Sequence, residues 1–196
     1  MQTQSSPPTS VEPWPRPGIA WYAVVILVVA FIFSFVDRII ISMLVEPLKA
    51  DLGLSDTQLG LLQGPAFALF YALVGLPIGR WADRYSRRAI IAWGISIWSV
   101  MTAVCGLARN FLQLFLARVG VGVGEAALSP AAYSMIADYF PREKLGRAVG
   151  VYQAGAFFGA GLSFLVGGLV IQAVAKAGEI SLPVIGEVQA WQMVFF

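Results

Sequence analysis

Histidine is absent from this 196-residue chain, and cysteine occurs once, as Cys105. The first absence excludes histidine-based catalytic triads, the H-E-x-x-H zinc motif and imidazole proton relays, and with them most membrane metalloenzymes. The second leaves no disulfide framework and makes the redox compartment unreadable. Charge is also scarce: Asp, Glu, Lys and Arg together make up 12% of the residues, against about 25% in a soluble domain. The net charge of +2 is too small and too scattered to suggest nucleic-acid binding.

What the chain has in quantity is hydrocarbon. It is 58% hydrophobic, with a mean hydropathy of +0.76, the composition of an integral membrane protein. A helix needs about 20 residues to cross a bilayer. Five segments qualify, at about 20–44, 57–78, 89–108, 110–135 and 148–175. Ser55 and Asp56 precede the second and are good helix-start residues. Barrel strands, which are short and alternate in polarity, do not fit.

Residues 1–19 are polar and rich in proline (Pro7, Pro8, Pro13, Pro15, Pro17), so they read as a flexible cytoplasmic tail. Arg16 is the only base in that stretch, which does not suit a signal peptide, so the first apolar segment is expected to be retained. Residues 20–196 form the transmembrane bundle. A sixth apolar segment begins at about 191 and stops after six residues (Trp191 to Phe196), too few to span, so the sequence reads as a fragment.

Lys and Arg positions give an orientation. Arg16, Arg80, Arg84, Arg87, Arg88, Arg142, Lys144 and Arg147 fall on one side if the helices alternate, and Lys49, Arg109 and Lys176 on the other. The positive-inside rule then places the N-terminus in the cytoplasm. A bacterial inner membrane or an equivalent plasma membrane is the expected location.

Four charges lie inside the apolar segments: Asp37 and Arg38 in the first, Arg118 and Glu125 in the fourth. An ionised group at the centre of a membrane helix costs roughly 2.5–3.5 kcal/mol on insertion scales, so such groups pair, face water or do chemistry. Arg118 and Glu125 are seven residues apart, nearly on one helix stripe but two turns distant, with Gly122 between them. Each therefore needs a partner elsewhere or a shared aqueous cavity, and the first helix supplies candidates: Asp37 for Arg118, and Arg38 for Glu125. Two readings follow. The pairs are static struts, or a titratable acid has its pKa set by a movable arginine, as in a proton relay.

Small residues recur every four positions at Gly60, Gly64, Ala68 and Ala72, at Gly146, Gly150 and Ala154, and at Gly155, Gly159, Ser163 and Gly167. Such faces predict close helix approach. Pro65 and Pro77 predict breaks in the second helix, and Pro130 in the fourth. The run Gly120-Val121-Gly122-Val123-Gly124 follows no soluble strand, which rejects a nucleotide loop. Glu125 after it stands where a membrane aspartyl protease needs Asp, and no enzyme is expected.

The loop Gly79-Arg80-Trp81-Ala82-Asp83-Arg84-Tyr85-Ser86-Arg87-Arg88 resembles the G-x-L-A-D-R-x-G-R-R motif of the major facilitator superfamily, with Trp81 for Leu and Ser86 for Gly. Leu114 to Gly122 resembles that family's fourth-helix motif, whose arginine is associated with proton coupling. Phe140 to Arg147 resembles its link from helix four to five. The proline of the antiporter signature is missing from helix five. Phe35-Val36-Asp37-Arg38 with the stretch Arg118 to Ala126, continued by Ser129-Pro130 and by Ile136 to Phe140, is similar to the spinster-like branch. The anion and sugar-acid transporters share part of this pattern. Trp191-Gln192-Met193-Val194-Phe195 resembles the W-R-x-x-F opening of helix six, with Gln192 for Arg.

The resemblance covers roughly residues 30–160. It implies an all-α membrane protein that is the N-terminal half of a major facilitator fold, with five transmembrane helices and the start of a sixth. It implies alternating access against a missing C-terminal half, and proton-coupled movement of a lysolipid or another amphipathic organic anion. Asp37 and Glu125 would then titrate, while Arg38 and Arg118 set their pKa values or bind an anionic headgroup. Gly79, Asp83, Arg84, Arg87 and Arg88 would form the inner gate, the aspartate capping a helix of the other half and pairing with a loop arginine. The expected partners are the substrate, protons and membrane lipids, with no cofactor or metal. The alternatives are a sugar-acid or organic-anion symporter of the same superfamily, and a non-transporting membrane assembly or lipid-binding subunit.

Overall fold

The structure of the chain, a computed structural model, describes residues 15–177, 180–182, 186–189 and 191–196. The tail expected over 1–19 lies outside the described residues as far as position 14. Helix α1 (Pro17–Met43) already begins at Pro17, earlier than the expected position 20. The reason is local: proline at the first helical position has no N–H to leave unpaired, and its fixed φ suits a helix start.

Among the described residues, eight helices make up the bundle. After α1 come α2 (Val45–Leu52), α3 (Asp56–Gln63), α4 (Pro65–Ala82) and α5 (Arg87–Gly106). They are followed by α6 (Phe111–Glu125), α7 (Leu128–Tyr139) and α8 (Arg142–Ala177). Taking α3 with α4 and α6 with α7, five helical stretches among the described residues are long and apolar enough to cross a membrane. A short antiparallel ladder pairs Ile180–Leu182 with Gly186–Val188, and a 3-10 turn spans Gln192–Phe195.

The breaks follow from backbone chemistry. Pro65 lacks the N–H that would continue α3, and Gly64 takes the bend at φ −107°, ψ −89°. Pro130 sits in the first turn of α7, and Ala126 and Ala127 bridge α6 to α7 with hydrogen bonds back to Gly122 and Gly124. Pro77 differs from expectation: α4 runs through it without ending. Ser55 closes a capping box at the start of α3, its hydroxyl accepting from the Gln58 N–H while the Gln58 side chain accepts from the Ser55 N–H.

Helix α1 packs along α8, α5 along α6, and α4 against α6. The small-residue faces contribute unequally. A Cβ on Gly159 would lie 2.8 Å from the Ile32 carbonyl oxygen, and one on Gly155 would lie 3.2 Å from that of Val28, so this stripe of α8 is where α1 docks. At Gly60, Gly146 and Gly150 a Cβ meets open space, and Ala68 and Ala72 are exposed, so those expected faces hold nothing here. The three glycines of α6 each meet a different neighbour: Gly120 the Met101 side chain, Gly122 the Phe67 backbone, and Gly124 the Trp98 and Gly94 backbones of α5. Close approach to α5 at Gly120 and Gly124 and to α4 at Gly122 places α6 between those two helices. Large apolar side chains such as Leu76, Trp93 and Leu165 point outward from the rim of the bundle, as they do where the solvent is lipid.

Candidate functional site

The largest fully buried side chain among the described residues is an arginine, Arg118, at 1% exposure. It projects from α6 toward α1, where its Nη1 donates to Asp37 Oδ2 at 2.9 Å. Thr102 of α5 donates to the other carboxylate oxygen, Oδ1, at 2.8 Å. Seven residues along α6, Glu125 is fully buried, and its Oε2 receives Arg38 Nε at 2.7 Å. The Ser34 hydroxyl donates to the same oxygen. The four intramembrane charges thus form two neutral pairs, Asp37–Arg118 and Arg38–Glu125, joining α1 to α6. Removing charge from water is tolerated only when partners and additional hydrogen bonds replace the hydration. Thr102 and Ser34 supply those bonds. Each pair still leaves one buried polar atom without a hydrogen-bond partner, Arg118 Nε and Glu125 Oε1.

Of the two alternatives offered by the sequence, partners on another helix are present, and the pairs line no common cavity. Adjacent helical residues point about 100° apart, so Asp37 and Arg38 open onto different cavities. Asp37 lines a cavity of about 650 Å³ between α1, α5 and the C-terminal turn, with Thr102, Trp98 and Phe195. Arg38 lines one of about 420 Å³ between α1, α4, α7 and α8, with Phe35, Tyr71, Tyr133, Gln153 and Phe157. In both pairs, then, the α1 member reaches a cavity and the α6 member is sealed. The Arg38 guanidinium is also ringed by aromatics, its Cζ lying 4.7 Å from the centroid of Phe67, 4.8 Å from Tyr71 and 5.1 Å from Phe35. That arrangement stabilises a cation in apolar surroundings without tying it to one anion.

At the arginine-rich end, Arg87 bonds to α7 twice, through Nη1 to Asp138 Oδ2 at 2.7 Å and through Nε to Ser134 at 3.0 Å. Arg88 donates to the Tyr139 hydroxyl at 2.9 Å. Asp83 ends α4 exposed, beside Arg80 and Arg84 on a cavity of about 410 Å³. Among the described residues its side chain makes no hydrogen bond or ion pair. The structure therefore does not bring Asp83 together with Arg87, and Gly79 has open space where a Cβ would stand.

Comparison with known proteins agrees with this architecture. The profile of the Major Facilitator Superfamily matches residues 26–196. The chain belongs to that superfamily. It is 37% identical over 158 residues to an MFS-type efflux pump of Mycolicibacterium smegmatis, covering 81% of this chain and 37% of the relative. It is 31% identical over 159 residues to protein spinster homolog 1 of Xenopus tropicalis, covering 78% and 30%. The crystal structure of a bacterial homolog to the human lysosomal transporter Spinster, inward-facing and unoccupied, superposes with a TM-score of 0.82 at 37% identity, over 92% of this chain and 40% of that one. The chain thus spans about a third of the length of the curated relatives it matches. Within the superfamily the likeness is to the spinster-like branch, a branch of transporters and not of enzymes.

Several residues of this superfamily member's site are invisible to sequence reasoning. Ser34, Thr102 and Phe67 are ordinary in apolar helices, and no local pattern distinguishes them. Asp138 had a signal, an acid at the end of an apolar segment facing the arginine-rich loop, yet its pairing with Arg87 needed the α5–α7 contact to be known.

Proposed function

We propose that the chain carries the coupling site of a secondary transporter that moves a lysolipid or another amphipathic organic anion by alternating access, driven by protons. Arg38 carries this reading: among the described residues it is the one charged group lining the cavity between α1, α4, α7 and α8, and its only acidic partner is a carboxylate buried behind it. A guanidinium so placed has two competing anions, Glu125 and any anionic headgroup entering the cavity. Protonating Glu125 removes one competitor and frees Arg38 for substrate. Deprotonating it recaptures Arg38 and expels the anion. The cavity's apolar walls at Phe35 and Phe157 suit an acyl or other hydrophobic body.

In this scheme Asp37 and Arg118 form the second coupling pair, held more rigidly by Thr102. The arginine-rich end faces the cytoplasm of a bacterial inner membrane or equivalent, where Asp83, Arg84, Arg87 and Arg88 latch the gate, with Arg87 anchored on Asp138.

The native protein in proteoliposomes, under an imposed inward proton gradient, tests the substrate class. An anionic lysophospholipid is expected to accumulate in proportion to the gradient and to stop when a protonophore collapses it. Accumulation of a sugar acid instead would show that the cavity reads a compact polar anion. Accumulation of neither would refute the transport reading.

A further inference from the structure

The ring that touches both arginines belongs to Phe67 on α4. Its centroid is 4.7 Å from Arg38 Cζ and 5.7 Å from Arg118 Cζ, although these cations belong to different ion pairs. The position is fixed by the backbone. Gly122 lies between Arg118 and Glu125 on α6, and a Cβ there would come within 2.8 Å of the Phe67 carbonyl oxygen and 3.3 Å of its Cα. Phe67 is therefore pressed onto α6 at the level separating the two pairs, where it is largely buried and stacks on Tyr71 with centroids 5.5 Å apart.

The atoms left over on either side are complementary. Arg118 Nε is a buried donor without a partner and Glu125 Oε1 a buried acceptor without one. In a low-dielectric interior such groups draw in water or exchange partners, because each unpaired buried polar atom is costly. An apolar ring at the intervening level supplies no hydrogen bond through which the two pairs communicate.

We propose that Phe67 is a positioning residue that insulates the two ion pairs from each other, so that protons cannot pass between the Asp37 and Arg38 cavities and neither arginine can change its carboxylate. This rests on the coupling role assigned above to Arg38 and Glu125. The insulation is a matter of apolar bulk at one level of α4, with Tyr71, Asp37, Arg38, Arg118 and Glu125 as the polar groups around it.

The test is proton entry into proteoliposomes of the native protein without substrate, read with a trapped pH-sensitive dye, beside gradient-driven substrate accumulation. Phe67→Ala and Phe67→Asn are expected to raise substrate-independent proton entry severalfold and to lower the accumulation ratio. Phe67→Leu and Phe67→Met, which keep apolar bulk and add no hydrogen-bonding group, are expected to stay near wild type. The asparagine variant decides the matter if the alanine variant fails to fold, since it fills more of the site and offers the missing hydrogen bonds. Wild-type proton entry in the asparagine variant would overturn the insulator. Glu125→Gln, measured alongside, reports on the coupling reading separately. If that variant still accumulates substrate like wild type, coupling fails, and proton entry through the Phe67 variants alone then judges the insulation.

Discussion

Arg118→Ala is expected to be the most damaging single substitution in the bundle, destabilising it by about 3–5 kcal/mol, the range for removing one partner of a buried ion pair. The loss has two parts. Asp37, at 7% exposure, would keep a charge answered only by the Thr102 hydroxyl. A cavity would also replace the largest fully buried side chain among the described residues. Thermal unfolding in detergent should show this as a large drop in midpoint or a collapse in recovered protein. Combining Arg118→Met with Asp37→Asn should recover much of the loss, because replacing both charges of a buried pair removes the uncompensated one. If Arg118→Ala unfolds at the wild-type temperature, Arg118 is not the strut that its geometry describes.

The next largest stability effect is expected at Gly124. A methyl there would stand 2.5 Å from the Trp98 backbone nitrogen and 2.9 Å from the Gly94 carbonyl oxygen. Both obstacles are backbone atoms of a helix that is itself packed against α6, so neither can swing aside as a flexible side chain would. Overpacking of this kind costs typically about 1–3 kcal/mol and occasionally more. Gly124→Ala should therefore lower the unfolding midpoint clearly. Gly150→Ala on α8, where a Cβ meets nothing within 4 Å, should leave it unchanged or raise it slightly through better helix propensity. Equal behaviour of the two variants would mean that α5 and α6 do not cross as closely as described.

The features most legible in the sequence were those where a residue contradicts its surroundings. Four charges in hydrocarbon are anomalies visible without any structure, and a spacing of seven fixed Arg118 and Glu125 to one stripe while forbidding them to meet. That left partners on another helix, and Asp37 and Arg38 fill those places. The apolar runs likewise marked the five spans. Features that depend on which face meets which neighbour were not legible. Stripes of small residues looked alike along the chain, yet Gly155 and Gly159 pack against α1 while Gly146 and Gly150 face open space. Whether the charges share a cavity was equally illegible: Asp37 and Arg38 line different ones because adjacent residues on α1 diverge by about 100°. Phe67, Ser34 and Thr102 escaped notice for the opposite reason to the charges: each suits an apolar helix, and only its position beside an ion makes it matter.

The most direct test of the account compares two transport modes in one variant. Glu125→Gln, in the native protein reconstituted into proteoliposomes, keeps the shape and hydrogen bonds of the buried acid but removes its titration. Proton-gradient-driven accumulation of an anionic lysophospholipid should disappear, while exchange of internal for external substrate at equal pH continues. If the variant still concentrates the lipid along the gradient to the wild-type level, Glu125 is not where the proton acts.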